Sequence, residues 1–155
     1  MLQITRDGEY AVRAVLHMCG QPMGALSLIS EIAEVQEVPR SYLSKIMQHL
    51  VRAGLVKSRR GAKGGFFLAR RPEEITLRQA IEAIEGPIFL NVCLIKKGEC
   101  HRDEFCPVHR VWQEAQRKLF EVLDGKTMAQ LVKDAEALKK PAAKKRTPRK
   151  PPASA

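Results

Sequence analysis

The sequence predicts a mainly α protein with a small β-hairpin, arranged as a winged helix-turn-helix followed by a long C-terminal helix. Three features predict this fold. Apolar residues recur at helical spacing over most of the chain. A basic, glycine-rich hairpin follows two short helices, and a helix with an apolar stripe starts after Pro107. A chain of 155 residues, 45% hydrophobic and 28% charged, suits one globular domain rather than a large multidomain enzyme.

The first predicted helix begins after Thr5, a residue type that caps helix N-termini, and it ends at Gly20. Its apolar residues at helical spacing are Tyr10, Ala11, Ala14, Val15 and Met18. Cys19 lies alone on the same apolar side, so we expect it to be a small buried hydrophobic residue.

A helix-turn-helix is predicted next. Its first helix covers residues 28–34, with Ser27 or Ser30 at the start, and its second covers residues 40–53 after Pro39. The predicted buried stripe of the second helix is Leu43, Ile46, Met47 and Leu50, and Gly54 is placed to form a left-handed cap. The outer face of this helix is polar and basic, as in recognition helices.

A wing follows the second helix. Residues 55–59 have the alternating residue pattern of a β-strand, residues 61–65 (GAKGG) form a flexible turn, and residues 66–69 form the returning strand. Arg59, Arg60 and Lys63 lie near the tip, where a wing meets the phosphate backbone or the minor groove.

The rest of the chain is predicted to be helical on either side of a cysteine-bearing loop. A helix over residues 74–85, with Thr76 near its start, precedes this loop, and Gly125 closes the long helix that follows it. One face of the long helix presents Val108, Trp112, Ala115, Leu119, Val122 and Leu123. Thr127 and Gln130 form a capping box for a last helix over residues 128–138.

Charge is unevenly distributed. Of the formal net charge of +10, residues 139–155 contribute +7 without one acid, and this Pro/Ala-rich tail is predicted to be disordered. Residues 40–71 carry nine Lys or Arg and no Asp or Glu. A basic segment without acids indicates that the protein binds an anionic partner, and double-stranded DNA is the leading candidate. The alternative is a basic surface that only contacts solvent. The predicted DNA-binding residues are Arg40, Ser41, Tyr42, Ser44, Lys45, Gln48, Arg52, Arg59, Arg60 and Lys63.

Three cysteines fall close together with the spacing C-x6-C-x5-C. These are Cys93, Cys100 and Cys106, and His109 follows shortly after. Three thiols and an imidazole could supply a four-ligand set for an iron–sulfur cluster, zinc or copper(I), and the spacing alone does not choose among them. The alternative is a set of scattered reduced cysteines or a redox pair.

Several motifs resemble those of the Rrf-type winged-helix transcriptional regulators. They are T-x-x-G-x-Y-A-V-x-A at the start, P-x-S-Y-L-x-K-I in the helix-turn-helix, G-L-V-x-S-x-R-G-x-x-G-G-F-x-L-A in the wing, and T-M-A-Q-L-V near the end. The resemblance covers residues 1–138. It implies a homodimer on a palindromic operator, with residues 1–86 as DNA-binding domain, 87–107 as cluster-binding loop and 108–138 as dimerisation helices.

The resemblance also implies an iron–sulfur cluster, [2Fe–2S] rather than [4Fe–4S]. Cys93, Cys100 and Cys106 fall on the positions of the family's cluster ligands, although the first gap is one residue longer than usual. In one branch of the family the fourth ligand is a histidine, which falls on His109. In another it is a carboxylate contributed across the dimer, which falls on Glu9; His101 is a weaker third candidate.

The sequence therefore predicts a transcriptional regulator whose DNA affinity depends on a cluster that senses redox state, nitric oxide or iron–sulfur status. The alternative is a cluster-free regulator of the same fold that uses thiol redox, zinc or a partner protein as its signal. An enzyme is not expected, because no Ser/His/Asp arrangement, phosphate loop or paired carboxylates occur. We expect a cytoplasmic protein without membrane association, because no secretory signal or long apolar run is present.

Overall fold

The computed structural model describes residues 4–139, which form six α-helices and one antiparallel β-hairpin. In chain order the elements are α1 (Arg6–Cys19), α2 (Ile29–Val35), α3 (Arg40–Arg52), β1 (Val56–Arg59), β2 (Gly65–Leu68), α4 (Leu77–Glu85), α5 (Pro107–Asp124) and α6 (Met128–Lys139). The predicted fold class is confirmed. The predicted disorder of the basic tail concerns residues that, beyond Lys139, lie outside the described part of the chain. No helix within residues 4–139 is both long and apolar enough to cross a membrane.

The core forms where α1 packs against α3 and α4. Apart from Tyr10, which is only partly buried, the predicted stripes of α1 and α3 are buried; their members are Ala11, Ala14, Val15, Met18, Leu43, Ile46, Met47 and Leu50. Thr5 caps α1 as predicted, since its hydroxyl accepts a hydrogen bond of 3.2 Å from the Gly8 amide. Cys19 is buried, and this burial, with the nearby charge of Glu73, raises the pKa of its thiol to about 12.

The start of α2 differs from the prediction. Neither Ser27 nor Ser30 caps the helix; the first turn is closed by Glu31, whose carboxylate accepts a hydrogen bond of 3.0 Å from the Leu28 amide. Ser27 instead pairs with β2, exchanging backbone hydrogen bonds of 2.7 and 2.9 Å with Phe66. The segment before α2 therefore anchors the wing to the body of the domain.

The helix after the wing also starts later than predicted. Residues Pro72–Glu74 form a 3₁₀ turn, Ile75 is extended, and Thr76 caps α4 by accepting a hydrogen bond of 3.2 Å from the Gln79 amide. The extended segment is held by the start of α6, because the Met128 amide donates to the Ile75 carbonyl at 2.8 Å. α6 then packs on α1, and Met128 joins the core.

The long helix α5 contacts the body mainly through α4. Arg78 on α4 lies over the Phe120 ring, 3.5 Å from its centroid, and its guanidinium pairs with Asp124 at 3.0 Å. None of the side chains of α5 is fully buried. Within the predicted apolar stripe, Trp112 lines the cavity of the cysteine loop while Val122 remains 67% exposed; Val111, beside this stripe, is 65% exposed.

Candidate functional site

The predicted nucleic-acid surface consists of the outer face of α3 and the wing. All ten predicted contact residues are exposed: Arg40, Ser41, Tyr42, Ser44, Lys45, Gln48, Arg52, Arg59, Arg60 and Lys63. This follows from the helical period, because burial of Leu43, Ile46, Met47 and Leu50 turns the intervening polar side chains outward. None of the basic side chains from Arg40 to Lys63 forms an ion pair with an acid inside residues 4–139. Their positive charge is therefore available to phosphate.

Two side chains of this surface have fixed neighbours. The Tyr42 ring meets the Tyr10 ring of α1 edge to face, with 5.9 Å between centroids. The Arg52 guanidinium bonds back to the carbonyl of Gln48 at 3.4 Å, which keeps it along the helix. The N-terminal half of α3 is thus supported by a contact from α1.

The wing turn depends on glycine at two positions. Gly61 has φ +106°, a conformation that L side chains rarely adopt. A Cβ at Gly64 would lie 2.4 Å from the carbonyl oxygen of Arg59. These glycines keep the turn tight, so Arg60 is presented at its tip next to the end of β1.

A second candidate site lies at the cysteine loop. A cavity of about 410 Å³ is lined by Cys93, Cys100, Cys106, Asp103 and His109, together with Trp112 and neighbouring residues. Backbone hydrogen bonds between residues three positions apart fold the loop around this cavity. The Asp103 amide donates to the Cys100 carbonyl, and the His109 amide donates to the Cys106 carbonyl. All three predicted thiol ligands and the predicted histidine therefore face one space, with all three thiols free.

The start of the loop is held by side chains of two helices. Glu82 of α4 accepts a hydrogen bond of 3.1 Å from the Ile88 amide, and Gln116 of α5 accepts one of 2.8 Å from the Leu90 amide. Cys106 is the N-cap residue of α5, followed by Pro107 at the first helical position. The loop is therefore bonded to α4 and α5 at its start and runs directly into α5 at its end.

Asp103 and His109 carry buried polar atoms at the cavity. Asp103 Oδ1 and His109 Nδ1 lie 3.6 Å apart, and neither has a hydrogen-bond partner among the described residues. The other carboxylate oxygen, Asp103 Oδ2, accepts a bond of 3.1 Å from the Gly98 amide, which fixes the side chain. Buried polar atoms without partners are costly, so a site for a bound cation is the chemistry that they fit.

The cavity environment affects the thiols. Partial burial raises the pKa of the Cys93 thiol above its usual range, and the nearby Asp103 carboxylate raises it further. A bound cation reverses this effect, because its charge favours the thiolate. Three soft sulfur donors and an imidazole in one cavity are a donor set that suits an iron–sulfur cluster. Cys93, Cys100, Cys106 and His109 therefore fit the predicted group.

The two other predicted ligands are placed less well for the cluster. Glu9 is exposed on α1, does not line the cavity and pairs with Arg13 one helical turn away. His101 borders the cavity but is exposed, as expected of the weaker candidate. Within one subunit, His109 is the predicted fourth ligand that the fold brings to the three cysteines.

Comparison with known proteins identifies the family. The family model described as "Rrf2: Iron-dependent Transcriptional regulator" matches residues 4–134. The chain belongs to the Rrf2 family. The Rrf2 match spans the winged helix, the cysteine loop, α5 and most of α6, so it covers both candidate sites.

Individual Rrf2 relatives agree with this assignment. The chain is 31% identical over 135 residues to the HTH-type transcriptional regulator IscR of Aliivibrio salmonicida, which covers 87% of this chain and 80% of the relative. Its fold is similar to that of T. potens IscR, with a TM-score of 0.69, 33% identity, and 89% and 91% of the two chains covered. It is also similar to CymR, the global cysteine regulator of B. subtilis, with a TM-score of 0.66, 29% identity, and 86% and 98% covered.

These relatives are transcriptional regulators and not enzymes, in agreement with the prediction. The chain is an Rrf2 transcriptional regulator with a winged helix-turn-helix for binding DNA.

The sequence did not single out two residues of the candidate sites. Asp103 looked like one of several loop acids, and Tyr10 looked like an ordinary core residue; the one usable signal was the position of Asp103 midway between Cys100 and Cys106.

Proposed function

We propose that this Rrf2 regulator acts in the cytoplasm as a homodimer on a palindromic operator, and that an iron–sulfur cluster sets its affinity for DNA. The observation that carries the proposal is the cavity at the N-terminus of α5, which three free thiols and His109 line together. The similarity to two IscR proteins supports it.

Cys93, Cys100, Cys106 and His109 would hold the cluster. A mixed cysteine and histidine set occurs at [2Fe–2S] centres, where imidazole replaces thiolate on one iron, so we favour [2Fe–2S] over [4Fe–4S]. When bound, such a group supplies reversible electron transfer and sensitivity to oxidants, nitric oxide or iron supply. The exposed Lys96, Lys97 and Arg102 offset part of the negative charge of the thiolates.

DNA would be read by α3 and the wing. The exposed residues of the N-terminal half of α3, Ser41, Tyr42, Ser44 and Lys45, are placed to meet base edges and phosphates in the major groove. Arg60 would enter the minor groove, while Arg59, Lys63, Arg40, Gln48 and Arg52 would contact the backbone. This division follows the usual rule that phosphate contacts position a protein and base contacts give specificity.

Dimerisation would use α5. Val108, Val111 and Val122 are more than half exposed on one face of this helix, with Ala115 between them at helical spacing. An exposed apolar strip on a long helix is a typical protein interface, and a two-fold dimer would match a palindromic operator.

A contact chain supports coupling between the two sites. The loop binds Glu82 through the Ile88 amide, Glu82 pairs with Arg78, and Arg78 holds Phe120 and Asp124 of α5. α4, which carries Arg78 and Glu82, packs on both α1 and α3. A change in the loop would thereby alter the spacing of the two recognition helices in the dimer.

The second candidate function is a cluster-free regulator. The structural similarity to B. subtilis CymR, a cysteine regulator, favours it. In that case thiol oxidation, zinc or a partner protein would supply the signal, and the DNA-binding surface would be unchanged.

Anaerobic purification separates the two candidates. We expect a coloured protein with iron and acid-labile sulfide in equal amounts, about two of each per chain for [2Fe–2S]. Gel-shift titrations of holo and cluster-free protein on genomic promoter fragments should then differ in affinity. A colourless protein that cannot be reconstituted with a cluster would refute the iron–sulfur proposal and support the cluster-free regulator.

A further inference from the structure

Three donor atoms at the cysteine loop lie close together, and one of them belongs to a residue that is not among the proposed cluster ligands. The sulfur of Cys93, a carboxylate oxygen of Asp103 and a nitrogen of His109 all lie within 4.8 Å of one another. They come from three parts of the fold: the 3₁₀ turn Val92–Leu94, the loop and the first turn of α5. Cys100 and Cys106 line the same cavity but are not members of this group.

Two of these donor atoms are buried and face each other at a distance too long for a hydrogen bond. The side chains of Asp103 and His109 are only 9% and 13% exposed. Their facing atoms, Oδ1 and Nδ1, find no hydrogen-bond partner in the part of the chain described here. Leaving a buried polar atom unpaired costs roughly 1–3 kcal/mol, and more for a charged one. A cation bound between the two atoms would supply the missing partner.

The spacing of the pair fits a metal ion better than a hydrogen bond. At 3.6 Å the two atoms lie beyond the usual 2.7–3.2 Å range of an N–H···O bond. Two nitrogen or oxygen ligands at roughly 2.0–2.1 Å from a tetrahedral ion stand about 3.4 Å apart. The distance between Asp103 and His109 is therefore close to that between two ligands of one ion.

We propose that Cys93, Asp103 and His109 form a site for a single divalent transition-metal ion such as Zn²⁺. A thiolate, a carboxylate and a neutral imidazole together carry two negative charges, which balance the ion. The adjoining cavity gives room for a fourth, solvent-derived ligand. Cys93 and His109 also belong to the proposed cluster ligands, so the ion and the cluster cannot be bound at the same time. Only this mutual exclusion rests on the proposed function; the metal site itself does not.

Cobalt(II) is the probe for this site, because its absorption reports thiolate coordination and four-coordinate geometry. The full-length chain, freed of iron under anaerobic conditions, is titrated with Co²⁺ and then with competing Zn²⁺. Each ligand has a matched control of the same residue type that lies nearby but outside the donor group. The pairs are Cys93→Ser with Cys100→Ser, Asp103→Asn with Glu104→Gln, and His109→Ala with His101→Ala.

We expect one Co²⁺ per chain with a thiolate-to-cobalt band in the wild type and in all three controls. Each ligand variant should weaken binding by more than the roughly 10–100-fold that loss of an outer hydrogen bond costs. Circular dichroism of each variant establishes that it is folded. The proposal is overturned if the Asp103→Asn variant binds as the wild type does, or if Cys100→Ser weakens binding as much as Cys93→Ser.

Cluster reconstitution of the same variants distinguishes this proposal from the proposed function. Cys100→Ser should lose the visible bands of the cluster and keep cobalt binding, whereas Asp103→Asn should keep the bands and lose cobalt binding. Wild-type protein that binds cobalt but forms no cluster would refute the proposed function and support the mononuclear site. Wild-type protein that forms the cluster but binds no cobalt would refute the mononuclear site alone.

Discussion

The ring of Tyr10 on α1 meets the ring of Tyr42 on the recognition helix edge to face, at 5.9 Å between centroids and 76° between planes. The Arg13 guanidinium lies over the Tyr10 ring, 6.0 Å from its centroid, and pairs with Glu9. Tyr42 is 48% exposed, so its outer part is free for DNA while its inner edge is held. α1 thus supports a side chain that we place at the DNA.

Replacing Tyr10 by Ala should weaken specific DNA binding although Tyr10 itself need not touch DNA. Edge-to-face pairs contribute roughly 0.5–1.5 kcal/mol beyond burial, so freeing Tyr42 should lower affinity by up to about tenfold. Tyr10→Phe keeps the ring pair and should bind normally. Fluorescence anisotropy with a labelled operator measures both variants, and equal affinities for Ala and Phe would refute a positioning role.

Replacing Arg60 by Ala should lower affinity and relax specificity. Its place at the wing tip beside Gly61 presents the guanidinium to a groove, and a groove-reading contact is worth roughly 1–3 kcal/mol. Arg117→Ala removes the same charge from the solvent side of α5 and should have little effect. Gel-shift titration on operator and unrelated DNA checks this, and unchanged binding by the Arg60 variant would exclude Arg60 from the DNA contacts.

Replacing Val111 by Asp should dissociate the proposed dimer. Val111 is 65% exposed on α5, and the two-fold axis would bring two carboxylates into one apolar interface. Since burying unpaired charge costs several kcal/mol, dimerisation should weaken roughly 100-fold or more. Val35→Asp, equally exposed at the end of α2, is the control. A Val111 variant that still sediments as a dimer at low micromolar concentration would contradict dimerisation through this face.

Features set by near neighbours in the chain were predictable. The stripes of α1 and α3 follow from helical period, and the caps at Thr5, Thr76 and Thr127 require only a residue three positions away. Ser27 was misassigned because its partner, Phe66, is distant in sequence. The spacing of cysteines predicted the donor cavity, yet the burial of Asp103 depends on how the whole loop folds onto α5. Sequence periodicity carries no information about such a loop.

Cys19 should behave unlike the three loop cysteines toward alkylating reagents. With its thiol pKa raised to about 12 against the ordinary 9.0, the thiolate fraction near neutral pH is about a thousandfold lower. In the cluster-free chain, Cys100 and Cys106 should react fast with iodoacetamide, Cys93 more slowly because its thiol pKa is also raised, and Cys19 most slowly; unfolding should expose all four. Because the folded state binds this proton more tightly, the free energy of unfolding should fall as pH rises above 9. Rapid labelling of Cys19, detected by peptide mass spectrometry, would contradict its burial.

The last prediction concerns the fourth ligand of the proposed cluster. His109 lies at the cavity, and its buried nitrogen has no hydrogen-bond partner within residues 4–139, whereas Glu9 is exposed and already paired with Arg13. We therefore expect His109→Ala to give a labile cluster with altered visible bands, and Glu9→Ala to change them little. Absorption and circular dichroism spectra, recorded anaerobically for both variants, test the assignment. If Glu9→Ala bleaches the protein while His109→Ala leaves its spectrum intact, the ligand comes from α1, across the dimer, and cluster loss would then act directly on the subunit interface.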